Sequence, residues 1–328
     1  MSLFRVYVDG ALFYHPQTPT SSPPWTTSSP LWSGTWAPSE DKEVPMKPYI
    51  ISADSTLDMP PELLKEHDIR VIASYVTMGE KTVDDWPELT QQQLLDFVRR
   101  TGKLAQTSAA NPEDYGNWFR KLLAEGRPVI HVAKSSGISS CYQNACMAAQ
   151  ELENVWVVDS KNLSGGSSMT ILAALKTDLE DPAQVAAFME EYRERIEGSF
   201  IIETLEFLRK GGRCSTLAAL GANVLRLRPE IVFDQGIMRV GKKYRGAYRK
   251  CVYEYLDDQL AKLPKYETDL VYMNHTLQDR DFLEELKSYV KQKTGCRQLI
   301  EYPASSAIST HCGPNTFGVF FVRKSGEM

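Results

Sequence analysis

The sequence has no C-x-x-C pair and no cysteine/histidine cluster with zinc spacing. Its six cysteines, Cys141, Cys146, Cys214, Cys251, Cys296 and Cys312, are scattered. With 328 residues and no basic n-region or apolar h-region at the start, a disulfide framework is not expected. The cysteines are read as reduced thiols of a cytoplasmic protein. No apolar run approaches the length of a membrane span. A G-x-x-x-x-G-K-[ST] loop for ATP and a G-x-G-x-x-G turn for a dinucleotide are both missing, so no cofactor is expected. A basic excess is missing too. The net charge is -5, which gives nucleic acid and anionic membranes nothing to favour. One local basic stretch, Arg226 to Lys250, reads as a solvated hairpin and helix start. Between Asp9 and Glu40 there is no charged residue at all.

That uncharged segment is rich in proline, serine and threonine, with Trp25, Trp32 and Trp36 interspersed. Residues 1–45 are therefore expected to be a low-order extension, with Met46 a candidate natural start. After it the pattern changes. Residues 48–53 form a first buried strand ending in Asp54-Ser55-Thr56. A helix opens at Pro60-Pro61. A second strand is expected over residues 70–77. Thr90 to Gln93 is a capping-box pattern opening a helix that Gly102 stops. A Thr107-Ser108 loop follows, then a helix from Asn111-Pro112 carrying Tyr115, Trp118 and Phe119. Strands over residues 129–133 and 154–158 alternate with further helices. This predicts a parallel sheet whose strand ends, at 54–56, 107–108, 135–140 and 159–160, converge on a ligand.

From about Ser199 the pattern restarts. An apolar strand leads to Lys210-Gly211-Gly212-Arg213 and a helix carrying Leu217, Leu220 and Val224. A hairpin turning at Asp234-Gln235-Gly236 comes next. Helices over 248–263 and 282–290 and strands over 270–273, 299–302 and 318–322 complete a second unit. The expected fold is two α/β domains, 46–198 with a parallel sheet flanked by helices and 199–328 with a mixed sheet, and a ligand slot between them.

The most informative stretch is Lys134 to Ala145, K-S-S-G-I-S-S-C-Y-Q-N-A. A strand, a hydroxyl-rich loop and a helix start make an anion site from hydroxyls and free N–H groups. Ser136 and Ser139 also sit where helix N-caps belong.

The motif order is similar to the DegV family of bacterial lipid-binding proteins over residues 48–323. It is carried by Asp54-Ser55-Thr56, Thr107-Ser108 before Pro112, Ser135-Ser136-x-x-Ser139 with Tyr142-Gln143, Asp159-Ser160, Lys210 to Arg213, and Thr310-His311-Cys312-Gly313-Pro314. The resemblance implies a long-chain fatty acid such as palmitate, stearate or oleate between two α/β domains. It implies a carboxylate held by Thr107 and Ser139, with Ser108 beside them, Ser136 the near alternative, and His311 and Arg213 near the head group. It also implies a fatty acid kinase partner that phosphorylates the carboxylate, the acyl phosphate then serving phospholipid synthesis. Asp54, Ser55, Asp159, Gly211 and Gly212 are expected to shape the site, with Arg213 paired to the ligand or to Asp54. Two departures stand out: Ser140-Cys141 where the family has Gly-Thr, and Asn315 after Pro314.

Phe97, Trp118, Ile138, Leu205, Leu220, Val224 and Ile237 are candidate slot residues, each of which also suits ordinary core. The alternative to a carrier is an ester or thioester hydrolase. Gly137-Ile138-Ser139-Ser140-Cys141 nearly fits G-x-S-x-G, with Asp159 and His311 as partners. No H-G-G-G-type oxyanion loop accompanies it, so a binding protein rather than an enzyme is expected.

Overall fold

In this computed structural model, residues 5–8, 11–14, 46–216 and 226–326 are described. The chain forms two compact units. The first, Met1–Ala37, contains an antiparallel ribbon of β1 (Arg5–Val8) and β2 (Ala11–Tyr14), with Arg5 opposite Tyr14. Trp25, Trp32 and Trp36 lie outside the described residues.

The second unit, Pro38–Met328, carries the remaining elements. Its parallel sheet joins β3 (Ile50–Asp54), β4 (Arg70–Ile72), β8 (Val129–Ala133) and β9 (Val155–Asp159) in the order β4-β3-β8-β9. Strands β3 and β8 are buried at every position. Helices cover both faces of such a sheet, and continuous apolar runs are the result.

The expected strand over residues 70–77 is instead two strands. The chain leaves the parallel sheet after β4 because the Ser74 N–H donates to Asp85 Oδ1 at 2.9 Å and to Ser55 Oγ at 3.2 Å. It re-enters a small antiparallel sheet of β5 (Tyr75–Met78), β6 (Lys81–Asp84) and β7 (Gln106–Ser108). Thr107 and Ser108, expected in a loop, therefore lie on a strand, with Thr107 opposite Val76.

Helix α1 is Pro61–Glu66, and α2 (Gln91–Thr101) and α3 (Pro112–Leu123) both begin at capping boxes, Thr90 with Gln93 and Asn111 with Asp114. Helix α4 is Cys141–Ala149, α5 Gly165–Leu175 and α6 Pro182–Arg193.

The second sheet has six strands: β10 (Ile196–Ile202), β11 (Leu227–Asp234), β12 (Ile237–Arg245), β13 (Tyr266–His275), β14 (Gln298–Pro303) and β15 (Thr316–Arg323). Their order is β12-β11-β10-β15-β13-β14, and only β13 and β14 run parallel. Gln235 and Gly236 join β11 to β12 with φ of 48° and 80°, the backbone a two-residue hairpin turn needs. Helices α8 (Tyr248–Leu260) and α9 (Arg280–Thr294) pack Tyr255, Leu256, Phe282 and Leu286 against Val271 and Phe321 of this sheet. Helix α7 is Glu206–Gly211. The helix expected to carry Leu217, Leu220 and Val224 falls outside the described residues, and Leu227 opens β11 instead. A short helix, α10 (Ser306–Cys312), was not expected. Its sequence, S-A-I-S-T-H-C, holds few strong helix formers, so local preference gives no signal.

Helix α5 ties the two sheets together. Every residue from Gly165 to Ala174 is buried, as befits a helix that is apolar or small all round. Its start is pinned from both sides. The Ser164 N–H donates to Thr56 O at 2.7 Å and Ser168 Oγ donates to Leu57 O at 2.7 Å. The Gly165 N–H donates to Asn274 Oδ1 at 2.8 Å. A side chain at Gly165 would place its Cβ 2.7–2.8 Å from Tyr272, Asn274 and Phe320. Only glycine allows that approach.

Asp58 sits at the same junction. Its carboxylate accepts from the Ser164 hydroxyl and from Ser305 N at 2.9 Å, while its carbonyl accepts from Tyr272 OH at 2.8 Å. Burial raises its pKa from 3.8 to about 7, against the pull of the Ser164 and Ser305 hydrogen bonds. The folded protein thus keeps a proton that the unfolded chain releases above about pH 4. Stability should fall as pH rises from about 4 to about 7 and level off above. At 1.36 kcal/mol per unit, this single group accounts for about 4 kcal/mol. Asp58→Asn, which cannot ionise, should flatten that part of the curve. Urea unfolding of both proteins between pH 4 and 8 checks this, and parallel curves would refute it.

Candidate ligand-binding site

The C-terminal ends of β3 and β8 and strand β7 face α7, α10 and the six-stranded sheet across a cavity of about 610 Å³. One part of its wall is hydroxyl-rich: Thr107, Ser108, Ser136, Ser139 and Ser140. Another is apolar: Leu163, Phe200, Leu208, Met238, Ile308 and Phe320. The second wall exists because β10, β12 and β15 turn one face towards α5 and α10.

All six residues expected to bind the ligand line this one cavity: Thr107, Ser108, Ser136, Ser139, Arg213 and His311. They do not stand in equal positions. Thr107 Oγ1 lies 2.7 Å from His311 Nε2, joining β7 to the last turn of α10. His311 was expected in a Gly/Pro turn, and is instead helical. Burial, then the charges of Arg213 and Lys134, lower its pKa from 6.5 to about 4. The ring is therefore neutral at pH 7 with a single N–H. Its Nδ1 is buried without a partner. Placing the hydrogen on Nε2 is the cheaper tautomer, because a buried orphan donor costs more than a buried lone pair. His311 then donates to Thr107 Oγ1, which leaves the threonine O–H free to donate into the cavity.

Gly211 has a structural reason beside this ring. A Cβ there would lie 2.3 Å from His311 Nδ1. Gly212, with φ of 68°, ends α7 in the left-handed conformation. Arg213 is exposed and donates to Gly211 O at 2.6 Å. It is not paired with Asp54.

The hydroxyl of Ser136 is committed elsewhere, donating to Asp159 Oδ2 at 2.6 Å. Asp159 also accepts from the N–H groups of Ser136 at 3.2 Å and Lys161 at 2.9 Å, so it shapes the loop. Ser139 Oγ accepts from Cys141 N at 3.3 Å and donates only to the Cys141 thiol, also at 3.3 Å. A thiol is a weak acceptor, so this hydroxyl is easily redirected. The residue directly before α4 is Ser140, which gives no side-chain cap. Ser135 Oγ donates to Gly236 O at 2.7 Å and fastens the β11–β12 turn against the hydroxyl loop.

Asp54 lies below the loop, fully buried. It accepts from Tyr115 OH at 2.5 Å and Lys134 N at 2.8 Å. Burial pushes its pKa up, but His131, Lys134 and Tyr115 together win and hold it below the ordinary value. Ser55 Oγ donates to Asp85 at 2.8 Å. Trp118, a candidate slot residue, belongs to the core beneath and donates to Ser52 Oγ at 2.8 Å. Of the other candidates, Ile138 lines the cavity, Phe97 and Ile237 do not, and Leu205 is core. Leu220 and Val224 lie outside the described residues. The lining side chains Phe200, Met238, Ile308 and Phe320 were missed, since strand alternation alone does not say which face meets a cavity. Ser74 was missed as well, and Thr56, Lys134 and Gln143, which lie in the stretches expected to meet the ligand, were not singled out as lining residues. Lys134 carried a signal: it is a cation immediately after a strand buried throughout.

The hydrolase geometry is not formed. His311 meets Thr107 rather than Ser139, and Asp159 meets Ser136 rather than His311. Asn315 does take positive φ, at 52°, as expected of that residue type. Among the described residues no group of acidic, histidine and cysteine side chains is placed to hold a metal, and no helix is long and apolar enough to cross a membrane.

The arrangement defines an α/β protein with a parallel and a mixed sheet closed around an amphipathic slot. Comparison with known families gives it a place: the model for the uncharacterised proteins of the DegV family matches residues 49–324, and the chain belongs to that family. A DegV domain-containing protein of Clostridium perfringens is 28% identical over 281 residues, spanning 84% of this chain and 98% of the relative. A solved DegV family protein from Thermus thermophilus, described for its fatty acid binding, superposes with a TM-score of 0.77 at 27% identity, covering 84% of this chain and all of that one. A DegV lipid-binding protein from Thermotoga maritima shares the fold, with a TM-score of 0.73 at 23% identity over 84% of this chain and 98% of its own.

The His311 assignment is open to measurement. In ¹⁵N-labelled protein its ring should stay neutral, as the Nε2–H tautomer, down to about pH 4, where an exposed histidine titrates near 6.5. A midpoint at or above 6 would show that the ring is not buried against Thr107 as described.

Proposed function

We propose that this protein binds a long-chain fatty acid in the 610 Å³ cavity, with the carboxylate at the hydroxyl wall and the tail along the apolar wall. The observation that carries this reading is the Thr107–His311 pair at the polar end of an otherwise greasy slot. The named cavity is within the size range of small-molecule sites. Burying about fifteen methylenes at roughly 0.8 kcal/mol each gives about 12 kcal/mol gross, ample after the costs of association. The head group needs donors to leave water, and Thr107 and Ser139 offer two hydroxyls. Ser139 is the better second donor, because the Ser136 hydroxyl is held by Asp159. The fatty acid described for the Thermus thermophilus relative supports the same ligand class here.

In this reading residues 46–198 form the α/β domain that carries the hydroxyl head-group loops, and residues 199–328 the second α/β domain, which adds most of the apolar wall together with His311 and Arg213. The protein presents the bound carboxylate to a fatty acid kinase in the cytoplasm and carries the acyl phosphate onward to phospholipid synthesis. Exposed Arg213 at the hydroxyl end is suited to meet such a phosphate.

Native mass spectrometry of the purified protein, followed by solvent extraction, should release about one long-chain fatty acid per chain. Thr107→Val and Ser139→Ala should each weaken binding by about 1–3 kcal/mol, the cost of leaving a buried acceptor unpaired. A protein that is empty and takes up no added fatty acid would refute the reading, and unchanged affinity in both variants would refute the head-group assignment.

A further inference from the structure

Lys134 is the first residue after β8, and it lines the cavity with 8% of its surface exposed. Its ammonium donates to Ser74 Oγ at 2.7 Å. Among the described residues no carboxylate oxygen comes within ion-pairing distance of it. The exposed lysines are better provided: Lys210 and Lys242 hold a carboxylate at 2.9 and 2.5 Å. This inverts the usual order, since a buried charge needs a direct partner far more than a solvated one. An ammonium has three hydrogens to donate; one goes to Ser74, and the only other side-chain partner among the described residues is the Cys141 thiol, a weak acceptor.

The two nearby acids are turned to other donors. Asp54 accepts from Tyr115 OH and the Lys134 backbone N–H, and Asp85 from Ser55 Oγ and Ser74 N. Burial pulls the Lys134 pKa down, but Cys141, Asp54 and Asp85 outweigh it and the side chain stays charged. Its charge also reaches His311, one of the causes of that ring's low pKa. Ser74 directly precedes β5, whose Tyr75 and Val76 lie opposite Ser108 and Thr107, so Lys134 belongs to the same end of the cavity as Thr107 and His311, where the neutral hydroxyls provide hydrogen bonds but no charge.

We propose that Lys134 is the counter-ion of the ligand's acidic head group, so that the cavity selects an anionic amphiphile over a neutral one of equal length. This rests on the fatty-acid reading above and extends it. The hydroxyls orient the carboxylate, and Lys134 decides that it enters ionised. A fatty alcohol or ester would fill the apolar wall equally well and leave the ammonium without a partner.

The test uses delipidated full-length protein with palmitic acid and hexadecanol at pH 8. Wild type should bind palmitate at least ten-fold more tightly than hexadecanol. Lys134→Met, close in length and uncharged, should bring that ratio to about one while the hexadecanol affinity changes less than two-fold. A ratio unchanged in Lys134→Met overturns the counter-ion role and leaves fatty-acid binding intact. Wild type that takes up neither ligand overturns both. A second measurement avoids the variant. With ¹³C-carboxyl palmitate bound to wild type, the carboxyl should titrate below the ordinary carboxylic range of about 4. The groups around it are Lys134, Arg213, neutral His311, Cys141, Asp54 and Asp85, with the Thr107 and Ser139 hydroxyls; burial and the two acids raise it, while the cations and the donating hydroxyls lower it. A bound carboxyl that titrates at or above the ordinary range refutes the proposal.

Discussion

The close approach of α5 to both sheets is the constraint on which the rest of the structure depends. A helix buried on every side cannot offer a polar face, and it cannot stand off from its neighbours without leaving voids. Gly165 lets its first turn touch Tyr272, Asn274 and Phe320, and Ser164 and Ser168 fasten it to the carbonyls of Thr56 and Leu57. That sets the distance between the parallel sheet and the mixed sheet. The cavity is the space left over at the strand ends, so its width is fixed by the α5 packing rather than by its own lining.

At the hydroxyl end the sequence places many polar groups, and the fold sorts them by what each already holds. Asp159 takes the Ser136 hydroxyl and Gly236 takes that of Ser135. Tyr115 and the Lys134 backbone satisfy Asp54. Thr107, steered by His311, and Ser139, whose hydroxyl donates only to a thiol, are left facing the cavity. The residue at position 141 bears directly on this. A thiol at position 141 grips Ser139 less firmly than a hydroxyl would. Cys141 itself is buried, and burial raises its pKa, so it acts as a packed thiol rather than a nucleophile.

The elements that sequence reading found and missed differ in how local their causes are. Thr90 with Gln93 and Asn111 with Asp114 satisfy backbone groups within one turn, so those helix starts were legible. The Gln235-Gly236 turn needed only two residues at positive φ. The break at Ser74 was not legible, because its cause is Asp85, eleven residues further along and on another segment. Helix α10 was missed for a similar reason: it is held by burial of Ala307 and Ile308 and by Ser306 Oγ donating to Leu89 O, all distant in sequence.

By itself, the sequence determined the alternation of strands and helices, the hydroxyl clusters at strand ends, and the absence of nucleotide loops, because those depend on period, caps and residue type. Only the tertiary structure decided which hydroxyl stays free, which apolar face becomes a wall, and that Lys134 lies buried with no direct carboxylate partner among the described residues. Those outcomes follow from contacts between segments far apart in the chain, 204 residues in the case of Thr107 with His311. Such contacts are set by how the two sheets close on α5, and no local pattern encodes that distance.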